Sequence, residues 1–162
     1  MEYLDLYDRH YHNTGMKLLR NDKDTNIPDN YFIRIVMVFI ENSEGKYLFQ
    51  MTSKEKGSIY ATTGGHVKSG SNPLDTIQEE VLEELGIKIP KSHFKHLMRS
   101  RKFGRILDTY YLKANLDINK LVLQKEEVAY VKWLSCDELR ELAKHDNIRK
   151  SNFEIMKQLK LI

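Results

Sequence analysis

Glu79, Glu80, Glu83 and Glu84 fall within six residues of one stretch, just behind a glycine-rich turn, Gly64-Gly65-His66-Val67. On a helix, glutamates four apart share a side, so Glu79/Glu83 and Glu80/Glu84 repel, each pair costing roughly 0.2–0.5 kcal/mol. A cation between the side chains removes that repulsion. Oxygen donors with no His or Cys among them suit a hard ion, Mg2+ or Mn2+, rather than zinc.

The flanking residues put the cluster on a helix. Asn72 suits the N-cap, Pro73 the first helical position and Asp75 the first turn, and Gly86 stands where a C-terminal glycine belongs after Leu85. At about 100° per residue, Leu74, Ile77, Val81 and Leu85 form an apolar stripe, broadened by Leu82. Glu80 and Glu84 border that stripe beside Ile77 and project toward a sheet edge. Glu83 shares their arc, so these three carboxylates converge from one helical face, while Glu79 lies at the far edge of the arc. An acidic helix side is ordinarily a solvated face; the residues upstream decide otherwise here.

From Gly65 to Ile87 the chain resembles the 23-residue Nudix box. In that pattern a glycine is followed after five residues by Glu and after seven more by Arg-Glu. An aliphatic, any residue, Glu-Glu, any residue, a glycine and an aliphatic complete it. Gly65, Glu80, Val81, Glu83, Glu84, Gly86 and Ile87 match at their proper spacing. Ser71 stands in place of the first Glu, and Glu79 in place of the Arg, which in the family braces the neighbouring carboxylates. A lysine or arginine from elsewhere, or heavier reliance on the metal, has to compensate.

The resemblance implies an α/β Nudix fold, a mixed β-sheet sandwiched between helices. It also implies a metal-dependent hydrolase that cleaves a diphosphate linkage in a nucleoside diphosphate derivative or related small metabolite. Glu80, Glu83 and Glu84 would hold Mg2+ or Mn2+ together with the Gly65 carbonyl, and Gly64 and His66 would lie against the substrate. The matching position for the general base is Glu127, with Glu126 the second choice, just before the strand Val128 to Leu134. Two other readings stay open. Ser71 and Glu79 are compatible with a ligand-binding or sensor module of weak or no turnover. Leu4 to Gly15 faintly resembles the N-terminal arm of Nudix proteins similar to isopentenyl diphosphate isomerase, but the isomerase's cysteine is missing from Tyr60 to Val67, which disfavours that activity.

The elements that must position these residues are mostly strands. Tyr31 to Ile40 and Lys46 to Met51 read as a hairpin around Asn42-Ser43-Glu44-Gly45, and Lys88 to Ile89 as a short strand. Phe94 to Arg101 and Arg105 to Ala114 read as a second hairpin turning at Phe103-Gly104. Helices follow over Asp137 to Lys144, capped by Ser135, and from about Asn152 to Leu161. Arg99 and Arg101 share a strand face and, with Lys102 and Arg105, form a basic cluster able to grip phosphate. His93 and His96 fall on opposite sides of a strand, too far apart in direction to share a metal.

Composition narrows the class further. A chain of 162 residues with 41% hydrophobic and 30% charged content reads as a single domain, residues 1–162, with residues 1–30 as an N-terminal arm. A net charge of +3 is compatible with a small phosphorylated ligand and too weak for a nucleic-acid polymer. The longest apolar run, Ile35 to Ile40, is far short of the ~20 residues of a membrane span. One cysteine, Cys136, and no signal-like segment point to the cytoplasm. The expected partner is a small molecule, with a homodimer left open.

Overall fold

Alternating branched and aromatic residues give this chain two faces to cover, and the helices cover them. The computed structural model describes residues 1–21 and 26–162; residues 22–25, within the expected arm, lie outside the described residues. In chain order the strands are β1 (Tyr3–Tyr7), β2 (Asn13–Leu19), β3 (Ile33–Glu41), β4 (Tyr47–Thr52), β5 (Tyr60–Ala61) and β6 (Gly64–His66). The helix α1 (Pro73–Leu85) comes next, then β7 (Lys95–Lys102), β8 (Arg105–Lys113), β9 (Val128–Leu134), α2 (Cys136–Lys144) and α3 (Lys150–Gln158).

Seven of the strands form one mixed sheet in the order β5-β4-β3-β8-β7, with β6 added to β3 and β9 to β4. β3 and β8 run parallel; the other pairs are antiparallel. Period-2 alternation along β3 sends Val36, Val38 and Ile40 to one face, against Ile77, Val81 and Leu85 of α1. Met37 and Phe39 go to the other, against Leu139 of α2 and Met156 of α3. The result is the α/β sandwich, a mixed β-sheet between helices, that the sequence implied.

The expected hairpin of β3 and β4 forms but does not stay closed. The two strands pair only at Glu41 and Tyr47, next to their turn. Beyond it they part, and the segment from β5 to β6 enters the gap. Gln50 and Met51 of β4 pair with β5, while Ile35, Val36 and Met37 of β3 pair with β6. Backbone groups left open by the split are satisfied: the Val38 N–H donates to the Thr63 carbonyl at 3.0 Å, and the Thr62 hydroxyl donates to the Val38 carbonyl.

Three local expectations change. Lys88 to Ile89 is no strand; Ile89 is buried as a plug against α1, and its carbonyl accepts from Gln78 Nε2 at 2.8 Å. Leu82 does not broaden the apolar stripe but is 43% exposed, because it falls about 140° around the helix from Ile77. His93 sits in a short 3-10 turn before β7, not on the strand with His96. At the N-terminus, the expected arm contains a two-stranded antiparallel hairpin of β1 and β2. Among the described residues no helix is long and apolar enough to cross a membrane.

Candidate active site

α1 begins and ends where its capping residues dictate. The Asn72 side chain accepts from the Asp75 N–H at 2.9 Å, and Gly86 takes the left-handed conformation at φ 71°. With both ends fixed, the helical angle decides each glutamate's surroundings. Glu84 falls about 20° from Ile77, Glu80 about 60°, Glu83 about 120° and Glu79 about 160°. Burial follows that order: Glu84 is 5% exposed, Glu80 is half-buried, and Glu83 and Glu79 are exposed.

The structure therefore brings two of the three expected ligands together, not all three. Glu84 and Glu80 share a hydrogen bond, while Glu83 acts on Glu80 through its charge alone. Among the described residues no group of three or more His, Cys, Asp or Glu side chains lies close enough to hold an ion by itself. Glu79, the residue that departs from the box, faces away from the pair.

Both paired carboxyls resist ionisation. Burial, and then the charge of Glu83, push Glu80 up to about 7, against the hydrogen bond from Glu84 and the nearby Arg20 and Lys68. Burial raises Glu84 well above the carboxylate range; the Gln50 amide opposes this, and the charges of Glu80 and Glu127 add to it. Two adjacent carboxyls that favour a proton over bare charge form a donor set that a divalent cation can replace the proton in. Mg2+ is commonly held by one or two carboxylates, with water and substrate phosphates filling the other positions, so a pair fits it.

The surrounding elements close in on this pair from three sides. From β6, the Gly65 backbone lies against the Glu80 carboxylate so tightly that any side chain at residue 65 would collide with it. From β4, Gln50 Nε2 donates to Glu84 Oε1 at 2.6 Å, and Gln50 Oε1 accepts from the Thr63 hydroxyl at 3.1 Å. Glu127 precedes β9, pairs with Lys56 at 3.6 Å, and is near enough to Glu84 to raise its pKa. Gly64 and His66 flank Gly65 on β6, opposite Met37 and Ile35.

The hairpin of β1 and β2 supplies the fourth wall. Asp5 accepts from the Ser69 hydroxyl at 2.7 Å and from the Gly70 N–H at 3.1 Å, tying β1 to the loop that leads into α1. Glu2 pairs with Arg20 at 2.6 Å and with Lys68 at 3.8 Å. Both cations act on Glu80.

Arg99 and Arg101, expected to grip phosphate, are engaged within the protein instead. Asp108 is fully buried and accepts from Arg99 Nε at 2.8 Å and Arg34 at 2.7 Å, with His96 Nε2 also 2.8 Å away. Arg101 donates to the Arg9 carbonyl and lies over the rings of Tyr11 and Phe32, while Arg99 also stacks on Tyr11. The basic cluster fastens the N-terminal hairpin to the sheet. Two strands, β3 and β8, separate Arg99 from Gly65.

Gln50, Lys68 and Arg20 lie beside the carboxyl pair, and the sequence did not single them out. One signal existed for Gln50: it is a polar residue within the apolar run of β4, on the same face as Leu48.

Comparison with known proteins agrees with this architecture. The NUDIX domain model matches residues 32–159. An uncharacterized Nudix hydrolase of Listeria monocytogenes is 29% identical over 147 residues, covering 88% of this chain and 85% of that one. Nudix hydrolase 3 of Arabidopsis thaliana is 30% identical over 128 residues, which is 68% of this chain but only 16% of the plant protein. A crystal structure from Deinococcus radiodurans superposes with a TM-score of 0.80 at 20% identity, over 98% of this chain and 99% of that one.

Proposed function

The chain belongs to the Nudix family and is a Nudix-type pyrophosphate hydrolase, and on that premise we propose that Glu80 and Glu84 are its metal ligands. The ion is Mg2+ or Mn2+, and the substrate a nucleoside diphosphate derivative or a related small phosphorylated metabolite. The Gly65 carbonyl would complete the protein's share of the ligands, with Glu83 lending negative charge beside them. Once bound, a divalent ion neutralises charge on the diphosphate oxygens and lowers the pKa of a coordinated water.

The chain's own residues do the rest. Gln50 holds the Glu84 carboxylate in one orientation, and Gly65 leaves room for the Glu80 carboxylate against the backbone. Glu127 takes the proton of the attacking water. Its side chain is 41% exposed and paired with Lys56 at 3.6 Å, so it stands where a water can reach it. Gly64 and His66 line the approach of the substrate from β6.

The observation that carries this reading is the Glu80–Glu84 pair, two carboxyls sharing a hydrogen bond beside a glycine that only a missing side chain makes possible. A binding module without turnover is the second reading, motivated by Ser71 and Glu79. It is the weaker one, because Glu79 faces solvent and adds no charge to the pair.

A screen decides between them. Nucleoside triphosphates, dinucleoside polyphosphates, nucleotide sugars and isoprenoid diphosphates are incubated with the protein and Mg2+ or Mn2+. Hydrolysis of at least one that is lost in Glu84→Gln supports the hydrolase. Metal-dependent binding without any turnover favours the module.

A further inference from the structure

A diphosphate entering this site brings negative charge to a helix that carries Glu79 where the family has an arginine. Positive charge must come from other elements. Lys68 and Arg20 reach Glu80, but Glu2 already pairs with both. Arg149 differs.

Its backbone is fixed at both ends. The Arg149 N–H donates to the Tyr60 carbonyl at 2.8 Å, and the Arg149 carbonyl accepts from the N–H groups of Asn152 and Phe153 at 3.1 and 3.2 Å, at the start of α3. A short path of contacts leads from there to the carboxylates. Asn152 Oδ1 accepts from the Thr62 N–H at 3.0 Å; the next residue, Thr63, donates its hydroxyl to Gln50, and Gln50 donates to Glu84. The Arg149 guanidinium, by contrast, makes no hydrogen bond, ion pair or ring contact with any described residue. It is exposed to solvent, yet surrounding protein lowers its pKa, with the charge of Glu84 opposing that shift.

We propose that Arg149 is a substrate-binding residue that grips a phosphate oxygen of the diphosphate beside the Glu80–Glu84 pair. It supplies, from the start of the C-terminal helix, positive charge beside a carboxylate helix that carries no basic residue of its own. Arginine suits the task because its planar fork donates two parallel hydrogen bonds to a phosphate and stays charged when desolvated. The assignment rests on the hydrolase reading above.

The test uses the non-hydrolysable diphosphate analogue imidodiphosphate, titrated calorimetrically with Mg2+ present into wild type, Arg149→Met, Arg149→Lys and the surface control Arg140→Met. Arg149→Met is expected to weaken imidodiphosphate binding about tenfold or more, the loss of a bidentate charged contact, while Mg2+ binding alone changes less than about twofold. Arg149→Lys recovers part of the affinity, and Arg140→Met matches wild type. On the best substrate from the screen, kcat/KM falls in parallel. Because the fold uses only the backbone of Arg149, thermal melting of the variants is expected to match wild type. Imidodiphosphate affinity within twofold of wild type in Arg149→Met overturns the proposal, as does a loss that Arg149→Lys does not relieve. A wild type that hydrolyses substrate while Arg149→Met does so equally well sinks Arg149 alone. A wild type that binds imidodiphosphate through Arg149 but turns nothing over sinks the hydrolase reading alone.

Discussion

Gln50 donates from Nε2 to Oε1 of Glu84 at 2.6 Å, joining the middle of β4 to the last turn of α1. Its other amide atom accepts from Thr63, so both ends of the side chain are used and the amide has one orientation. A buried carboxyl held this way keeps a single position before any ligand arrives.

Gln50→Leu removes that donor and leaves Glu84 and the Thr63 hydroxyl without their partner. The expected loss of stability in divalent-free buffer is about 1–3 kcal/mol, the usual cost of stranding buried polar groups. Urea denaturation measures it. A variant as stable as wild type would mean that Glu84 finds another donor and that Gln50 is not what holds it.

The two adjacent glycines fail differently when a methyl group is added. At Gly65 the new Cβ meets the movable end of Glu80, so Gly65→Ala is expected to fold with a nearly unchanged Tm while kcat falls about a hundredfold through displacement of a metal ligand. At Gly64 it meets the Val36 carbonyl and the Met37 backbone, so Gly64→Ala is expected to destabilise the protein by about 1–3 kcal/mol. Melting curves and initial rates on the two variants separate the effects; identical behaviour would contradict the geometry.

Glu80 has a folded pKa raised from 4.5 to about 7. A carboxyl shifted upward contributes stability that is complete below its unfolded pKa and is lost as pH rises through the folded one. In EDTA, therefore, wild type is expected to lose stability relative to Glu80→Gln between about pH 4.5 and 7, by an amount on the order of 2 kcal/mol. Mg2+ restores it above pH 7, and Mg2+ affinity falls as pH drops below 7 because protons compete for the site. Parallel pH profiles of the two proteins in EDTA would refute this.

Asp108 behaves in the opposite sense. Burial alone would raise its pKa, but hydrogen bonds from Arg99, Arg34 and His96 outweigh that and hold it below the ordinary value. Its contribution is present above the unfolded pKa and lost as pH falls through the folded one. Asp108→Ala leaves the guanidinium of Arg34, 12% exposed, without its partner and is expected to cost roughly 3–5 kcal/mol. Guanidinium denaturation at neutral pH tests the size, and limited proteolysis tests whether the N-terminal hairpin loosens with it.

The parts of this site that were legible in sequence are those fixed by neighbours along the chain. Asn72, Pro73 and Gly86 set the ends of α1, and the position of Ile77 placed Glu80 and Glu84 at the buried border. Glu83 shares their arc in the helical projection, but at about 120° from Ile77 it lies beyond the buried border and is exposed. Gln50, Arg149 and Arg20 come from β4, the start of α3 and the end of the hairpin, and only tertiary packing brings them to Glu84 and Glu80. For Arg99 and Arg101, strand alternation gave the shared face, but the partner that occupies Arg99, Asp108, lies on the next strand.

The ion pair of Arg34 and Asp108 joins residues 74 apart in the chain, across the parallel pair β3 and β8. Everything between them, including both glycines and the whole of α1, lies inside that loop. Parallel ladders of such separation form late, because the entropy of closing the loop is lost before the first ladder bond repays it. The carboxylate helix can therefore be wound early but seated only after its enclosing strands meet. Recovery of activity on refolding should lag the return of helical signal, with the lag set by β8 rather than by any residue of the site itself.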